Sequence, residues 1–231
     1  MKIKNAAKIV IFCILFLFLL NRIYDIFSWK DTAGDYYSSM ETFYDLEKDT
    51  VDVLFLGSSH CYCSVIPAKL WEDYGMASFN MAISGQDLAS SYYSFKEALK
   101  TQDLEVVCVE LYGCVFHGYL FEGNLYRNTL SRKLSLTSMD AVNNIVETDN
   151  KSDFILKWPI IHTRYKELKK QDFMEERPAY LGYSCEFNVS GVEKWEFDNV
   201  EPKPFGEAEQ EWLLKIIELA EESDTELVFF L

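Results

Sequence analysis

Hydrophobic and polar positions divide the chain into unequal parts. MKIKNAAK, with three lysines, precedes an unbroken apolar run, IVIFCILFLFLL, from Ile9 to Leu20. As a helix, twelve residues cover about 18 Å, short of the roughly 30 Å of a bilayer's hydrocarbon. Ile23, Tyr24, Ile26 and Phe27 extend the apolar surface into the interface, and Lys8 and Arg22 are placed to snorkel. With no small-x-small cleavage pattern after Leu20, the segment reads as an uncleaved signal anchor. Lysines ahead of it predict a cytoplasmic N-terminus and residues 31–231 outside.

Beyond the anchor the pattern changes to short apolar runs separated by turn residues. Asp31 to Thr50 is a polar and aromatic connecting segment with a helix around SSMETFYDL. Val51 to Leu56 reads as a buried strand that ends at Gly57. Pro67 to Gly75 is a short helix begun by proline and ended by glycine. Ala77 to Met81 is a second strand, Gln86 to Thr101 a helix on the sheet, and Glu105 to Leu111 a third strand. A helix follows over SLTSMDAVNNIVE with Ser135 or Thr137 at its cap, then another over DFILKWPIIHTRYKELKK, interrupted at Pro159. Pro178 to Phe205 is turn-rich and expected to loop over the sheet's edge. Glu207 to Ser223 is a helix with Trp212, Leu213, Ile216, Ile217 and Ala220 on its apolar face, leading into a buried strand, ELVFFL.

Alternating strands and helices predict an α/β fold. The expectation is a three-layer α/β/α arrangement around a parallel sheet in the flavodoxin-like order 2-1-3-4-5. A native domain seldom stops inside a core strand, so the domain is expected to continue past Leu231. The organisation read from sequence is 1–30 cytoplasmic tip and transmembrane anchor, 31–50 connector, and 51–231 an α/β domain, incomplete at its C-terminus.

Composition narrows the function classes. The chain has 231 residues, enough for one domain with a sizeable core, and 16% are aromatic, which excludes disorder. Against 22 basic residues stand 37 acidic ones, a net charge of −15, the wrong sign for a nucleic-acid partner. The six cysteines contain no CxxC pair. Cys13 lies in the anchor and Cys108 reads as a core residue, so no disulfide framework is expected. His60, Cys61 and Cys63 are neighbours without a fourth ligand, so no metal is expected. Asn188-Val189-Ser190 matches a glycosylation sequon, weakly.

Chemistry is expected where three strand ends converge. GSSH, ISGQD and YGCVF follow strands one, two and three and share one end of a 2-1-3 sheet, at its switch point. A serine at such a turn can expose its hydroxyl, with its own N–H and that of a nearby glycine aimed at a developing oxyanion. Ser59 is the first candidate nucleophile; Ser58 and Cys61 are minor alternatives. The bland reading is a strand-to-helix turn with hydroxyl caps.

These blocks resemble the SGNH/GDSL hydrolase superfamily from about Val51 to Phe116. FLGSSH matches its first block with Ser58 in the aspartate's place, which makes Ser59 the implied catalytic nucleophile. FNMAISGQD matches the second and makes Gly85 the implied oxyanion glycine beside the Ser59 N–H. VELYGCV occupies the third, keeping Gly113 but carrying Cys114 where the family has asparagine; Tyr112, Asn124 or Asn128 would then supply the donor. The late D-x-x-H block is absent. Ser58, His60, Tyr112, Gly113, Cys114 and His117 are candidate substrate or oxyanion contacts. His60 is too close in sequence to serve as base for Ser59, His117 suits a cleft wall, and His162 a fold contact with Arg164.

With the anchor, the resemblance is to membrane-anchored extracytoplasmic bacterial members, similar to the D-alanyl-lipoteichoic acid protein D group or to surface-polysaccharide O-acetylation proteins. It implies a serine esterase or O-acyltransferase acting on a cell-envelope glycan or teichoic acid, without cofactor, held to membrane lipid, and a membrane-bound O-acyltransferase as a partner. The alternative is a catalytically inactive accessory subunit of such an acyltransferase system. A polar cleft at Ser59 would favour the enzyme, and one filled by Tyr112 or Phe116 the accessory role.

Overall fold

The computed structural model describes residues 2–28, 37–115, 122–173, 181–184 and 204–231. Its centre is a four-stranded parallel sheet of β1 (Val53–Leu56), β2 (Ser78–Asn80), β3 (Val106–Glu110) and β4 (Glu226–Phe230) in the order β2-β1-β3-β4. This matches the first four positions of the expected order. Register aligns Phe55 of β1 with Cys108 of β3, and Cys108 with Val228 of β4.

Alternation along β1 separates two apolar clusters, as a period of two requires. Leu54 and Leu56 join Phe79, Val107 and Val109 in the main core, while Phe55 packs with Cys61, Tyr62, Ala82 and Ile83 on the other. The main core lies under α5 (Leu88–Ala98), which packs on β1, α7 (Leu136–Ile145) and α10 (Glu207–Glu222). Nine of its residues are consequently buried. Trp212 of α10 meets the rings of Tyr92 and Tyr93 at 5.6 and 5.8 Å, and Ile216 is fully enclosed. Cys108 is half-buried rather than a core residue, and β4 is largely exposed rather than buried. The reason is its place at one end of the described sheet.

Local chemistry sets the helix ends. In α4 (Pro67–Tyr74), proline occupies the first turn and Gly75 takes a left-handed φ of 67°. Asp87 caps α5 through Ser90 N–H at 2.8 Å. Ser135 caps α7 in a reciprocal box with Ser138. The break expected at Pro159 falls instead at Lys157, φ 60°, between α8 (Lys151–Leu156) and α9 (Trp158–Ile161). Proline sits comfortably in the first turn of α9, where its missing N–H costs nothing. Leu181 accepts the N–H of Asn80 at 2.9 Å, so 181–184, the described part of the expected loop region, does run along the edge of β2.

The apolar N-terminal segment forms a longer helix than its uninterrupted run suggests. α1 (Lys2–Phe27) contains a 23-residue stretch, Asn5–Phe27, of mean hydropathy 2.2. At 1.5 Å per residue this is about 35 Å, long and apolar enough to cross a membrane. Its last turn is fastened to the domain: Arg164 donates to the carbonyls of Phe27 and Ser28 at 2.7 and 2.6 Å and pairs with Asp172 at 2.8 Å. Phe27 packs on Trp158 at 5.7 Å. Tyr44, ending α2 (Tyr37–Tyr44), donates to buried Glu97 at 2.9 Å and so ties the connecting segment to α5.

Candidate functional site

The turn after β1 is organised around Gly57. A Cβ there would come within 2.5 Å of Glu110 Cβ and 2.6 Å of Glu110 Oε2, so only glycine lets the end of β3 approach this closely. The gap is used by the Glu110 carboxylate, 3% exposed, which accepts the Ser58 N–H at 2.5 Å. Gln86 reaches across from the turn after β2 and accepts the Gly57 N–H at 2.7 Å; Ile83 donates to the Gly57 carbonyl at 2.9 Å. Loops one and two are thereby stitched together on either side of Gly85. Neither Glu110 nor Gln86 was assigned a role from sequence. Their signal was a polar residue closing an apolar strand, VVCVE, and another following the turn glycine, ISGQD.

Ser58 and Ser59 have different surroundings. Ser58 is 1% exposed and caps α3 (Ser59–Ser64), its hydroxyl accepting the His60 N–H at 3.4 Å and lying 3.2 Å from His60 Nδ1. The same Nδ1 is 3.6 Å from Glu110 Oε1. Serine and carboxylate therefore meet one ring nitrogen rather than the two that a proton relay uses. The His60 ring stands edge-on to Tyr112 at 4.4 Å. Ser59, half-exposed, makes no side-chain hydrogen bond among the described residues. Cys61 is enclosed, with its thiol directed at Asn80 Oδ1 at 3.6 Å, and burial followed by the charge of Glu110 pushes its ionisation far up. Such a thiol is a poor nucleophile.

Three donors lie on the Ser59 turn and on or against the loop bonded to Gly57. Gly85 takes a left-handed φ of 64°, and a Cβ on it would meet Asn124 Nδ2 at 2.5 Å. Asn124, on α6 (Glu122–Leu130), turns its oxygen toward Arg127 Nη1 at 3.4 Å, which orients the amide nitrogen to Gly85. Among the described residues the N–H of Ser59, the N–H of Gly85 and Asn124 Nδ2 donate to nothing. Unspent donors on the Ser59 turn and on the loop bonded to it suit a developing negative charge.

The other sequence candidates are placed as follows. Gly113 is buried, and a Cβ on it would come within 2.9 Å of the Gln86 carbonyl, so loop three packs against loop two there. Cys114 packs against the main core, and burial, then Glu209, raises its thiol pKa. Tyr112 is 38% exposed and stands edge-on to His60. Asn128 is fully buried with its amide nitrogen given to the Asn124 carbonyl at 2.8 Å. His162 is tied to the Trp158 carbonyl at 2.9 Å in a 3-10 segment that packs on α1. Phe116, His117 and the Asn188 sequon lie outside the described residues. Among the described residues no three His, Cys, Asp or Glu side chains are grouped as a metal site would require.

Comparison with known proteins found no matching family model, no matching curated protein and no matching solved structure.

Proposed function

We propose that this chain is a membrane-anchored, extracytoplasmic serine esterase or O-acyltransferase of SGNH/GDSL type. Ser59 Oγ attacks an acyl carbonyl to form an acyl-enzyme, and water or an acceptor hydroxyl completes hydrolysis or transfer. The oxyanion is held by the N–H groups of Ser59 and Gly85 and by Asn124 Nδ2, the last in the role vacated by Cys114. The observation that carries this reading is the contact of Asn124 with Gly85, which brings an amide donor to the loop where the sequence blocks lacked one. Neither described histidine serves Ser59 as base: His60 faces Ser58, and His162 faces the Trp158 carbonyl of α9.

Residues 31–231 lie outside the membrane in this reading, with the lysines before the span holding the N-terminus inside. The substrate is an acylated envelope glycan or teichoic acid reached from the membrane surface. A second reading, an inactive accessory subunit of an acyltransferase system, draws on the same engagement of His60 and His162 elsewhere. Acetyl-ester hydrolysis by protein made from its complete reading frame tests the first reading. Turnover that Ser59→Ala abolishes and Ser58→Ala retains supports it; no turnover in the wild type moves the case to the accessory role.

A further inference from the structure

A seam of buried polar groups joins the end of α6 to α5. Asn124, Asn128 and Arg132 are spaced at i, i+4 and i+8, one face of a helix. Arg132 is 1% exposed, and among the described residues no carboxylate pairs with it. Its Nε donates to the Asn128 carbonyl at 3.0 Å, and Nη2 to the Ser90 carbonyl at 3.1 Å and Ser94 Oγ at 2.9 Å. Ser94 Oγ accepts from Gln86 Nε2 at 3.2 Å, and Gln86 holds Gly57. At the other end Asn128 Nδ2 holds the Asn124 carbonyl. One guanidinium thus ties the helix that carries Asn124 to the loop that carries Gly85.

A buried cation without an ion pair is costly; burial pulls its pKa down, and the nearby carboxylates of Glu97 and Asp87 push the other way. The seam is also incomplete by itself. Arg132 Nη1, Ser90 Oγ and Asn128 Oδ1 are each enclosed and make no hydrogen bond, and Arg132 bonds to the carbonyls of both other residues. One is a donor, one an acceptor and one both, a set that suits water better than an anion, which the amide oxygen would repel.

We propose that Arg132 Nη1, Ser90 Oγ and Asn128 Oδ1 together bind one buried water, and that through this hydrated seam Arg132 positions Asn124 against Gly85 for the oxyanion role. The positioning half rests on the serine-esterase reading; the water does not. Arg132 touches no substrate and is a positioning residue.

The test uses the full chain in detergent. Ser90→Ala removes one hydroxyl without stranding a charge, so it folds even if Arg132→Met does not. A high-resolution crystal structure of the wild type is expected to show a water bonded to all three atoms. In Ser90→Ala that water is lost, the side-chain amide signals of Asn124 move in a 15N spectrum, and ester hydrolysis falls about tenfold in kcat with KM within twofold. Arg132→Lys is expected to retain more kcat than Arg132→Met. A junction closed by direct bonds among the three side chains overturns the water. Asn124 signals and kcat unchanged in Ser90→Ala overturn the positioning role. If the wild type has no activity at all, the esterase reading falls, and the crystal structure and Asn124 signals still decide the seam.

Discussion

Replacing Gly85 by alanine separates folding from catalysis. The backbone there has φ 64°, a left-handed conformation that costs an L-residue about 1–2 kcal/mol. For a chain of this size that lowers Tm by about 2–8 °C. The added methyl would also meet Asn124 Nδ2 at 2.5 Å. Asn124 is half-exposed, and its side chain has one weak contact, Arg127 at 3.4 Å, so it swings away at little cost to stability. The loss falls on the rate instead. One missing oxyanion donor costs about 10²–10³ in kcat, about 2.7–4 kcal/mol of transition-state stabilisation. Asn124→Ala removes the same donor with no backbone strain, so it should match that rate loss with Tm nearly unchanged. The double variant should be no slower than Gly85→Ala alone, since both act on one amide. The assay is acetyl-ester hydrolysis under saturating substrate beside thermal unfolding of the same samples. Multiplicative losses in the double variant, or a Gly85→Ala rate reduced only by its unfolded fraction, would refute the shared-donor argument.

Other predictions concern the turn, the apolar N-terminal helix and a buried amine. Ser58→Ala should cost about 1 kcal/mol through the lost cap and leave turnover standing, as read by denaturation and hydrolysis. Arg164→Ala leaves buried Asp172 without its cation, holding only the Lys169 N–H among the described residues, and frees the end of α1; a loss of about 3 kcal/mol and faster proteolysis between α1 and the domain are expected. Lys157 gives two N–H bonds to the carbonyls of Leu130 and Arg132, and burial lowers its pKa to about 8. Because the folded amine binds fewer protons than the unfolded one above that value, Lys157 raises stability as pH rises from about 8 to about 10. Buried Cys61 and Tyr93 and half-buried Cys108 and Tyr44, all shifted upward, act in the opposite direction at the top of this range. The difference between wild type and Lys157→Met across pH 7.5–9.5, by urea denaturation, isolates the lysine; equal slopes would exclude the effect.

Much of the fold was legible because each element carried its own punctuation. β1 to β3 are apolar runs bounded by glycine or polar turns, and α4, α7 and α10 have a proline start, a serine cap and an apolar stripe respectively. α6 was missed because EGNLYRNTL carries few apolar residues; the face that it buries includes Asn128, Thr129 and, beyond its end, Arg132. Polar burial leaves no hydrophobic signature. Ser59 and Gly85 could be named from their turns, and Asn124 stood only as one of three substitutes for the missing asparagine. Its contact with Gly85 depends on how α6 packs, which is tertiary information. Glu110 was hidden for a related reason. A carboxylate ending a buried strand has meaning only once Gly57 is seen opposite it.

The account turns on whether Ser59 becomes acylated. Protein made from the complete reading frame, incubated with an activated acetyl ester and quenched in acid, should yield the peptide containing Ser59 with one acetyl group added by mass spectrometry, and Ser59→Ala should yield none. Label on Ser58, Cys61 or a lysine with Ser59 unmodified, or equal label in Ser59→Ala, would contradict the claim.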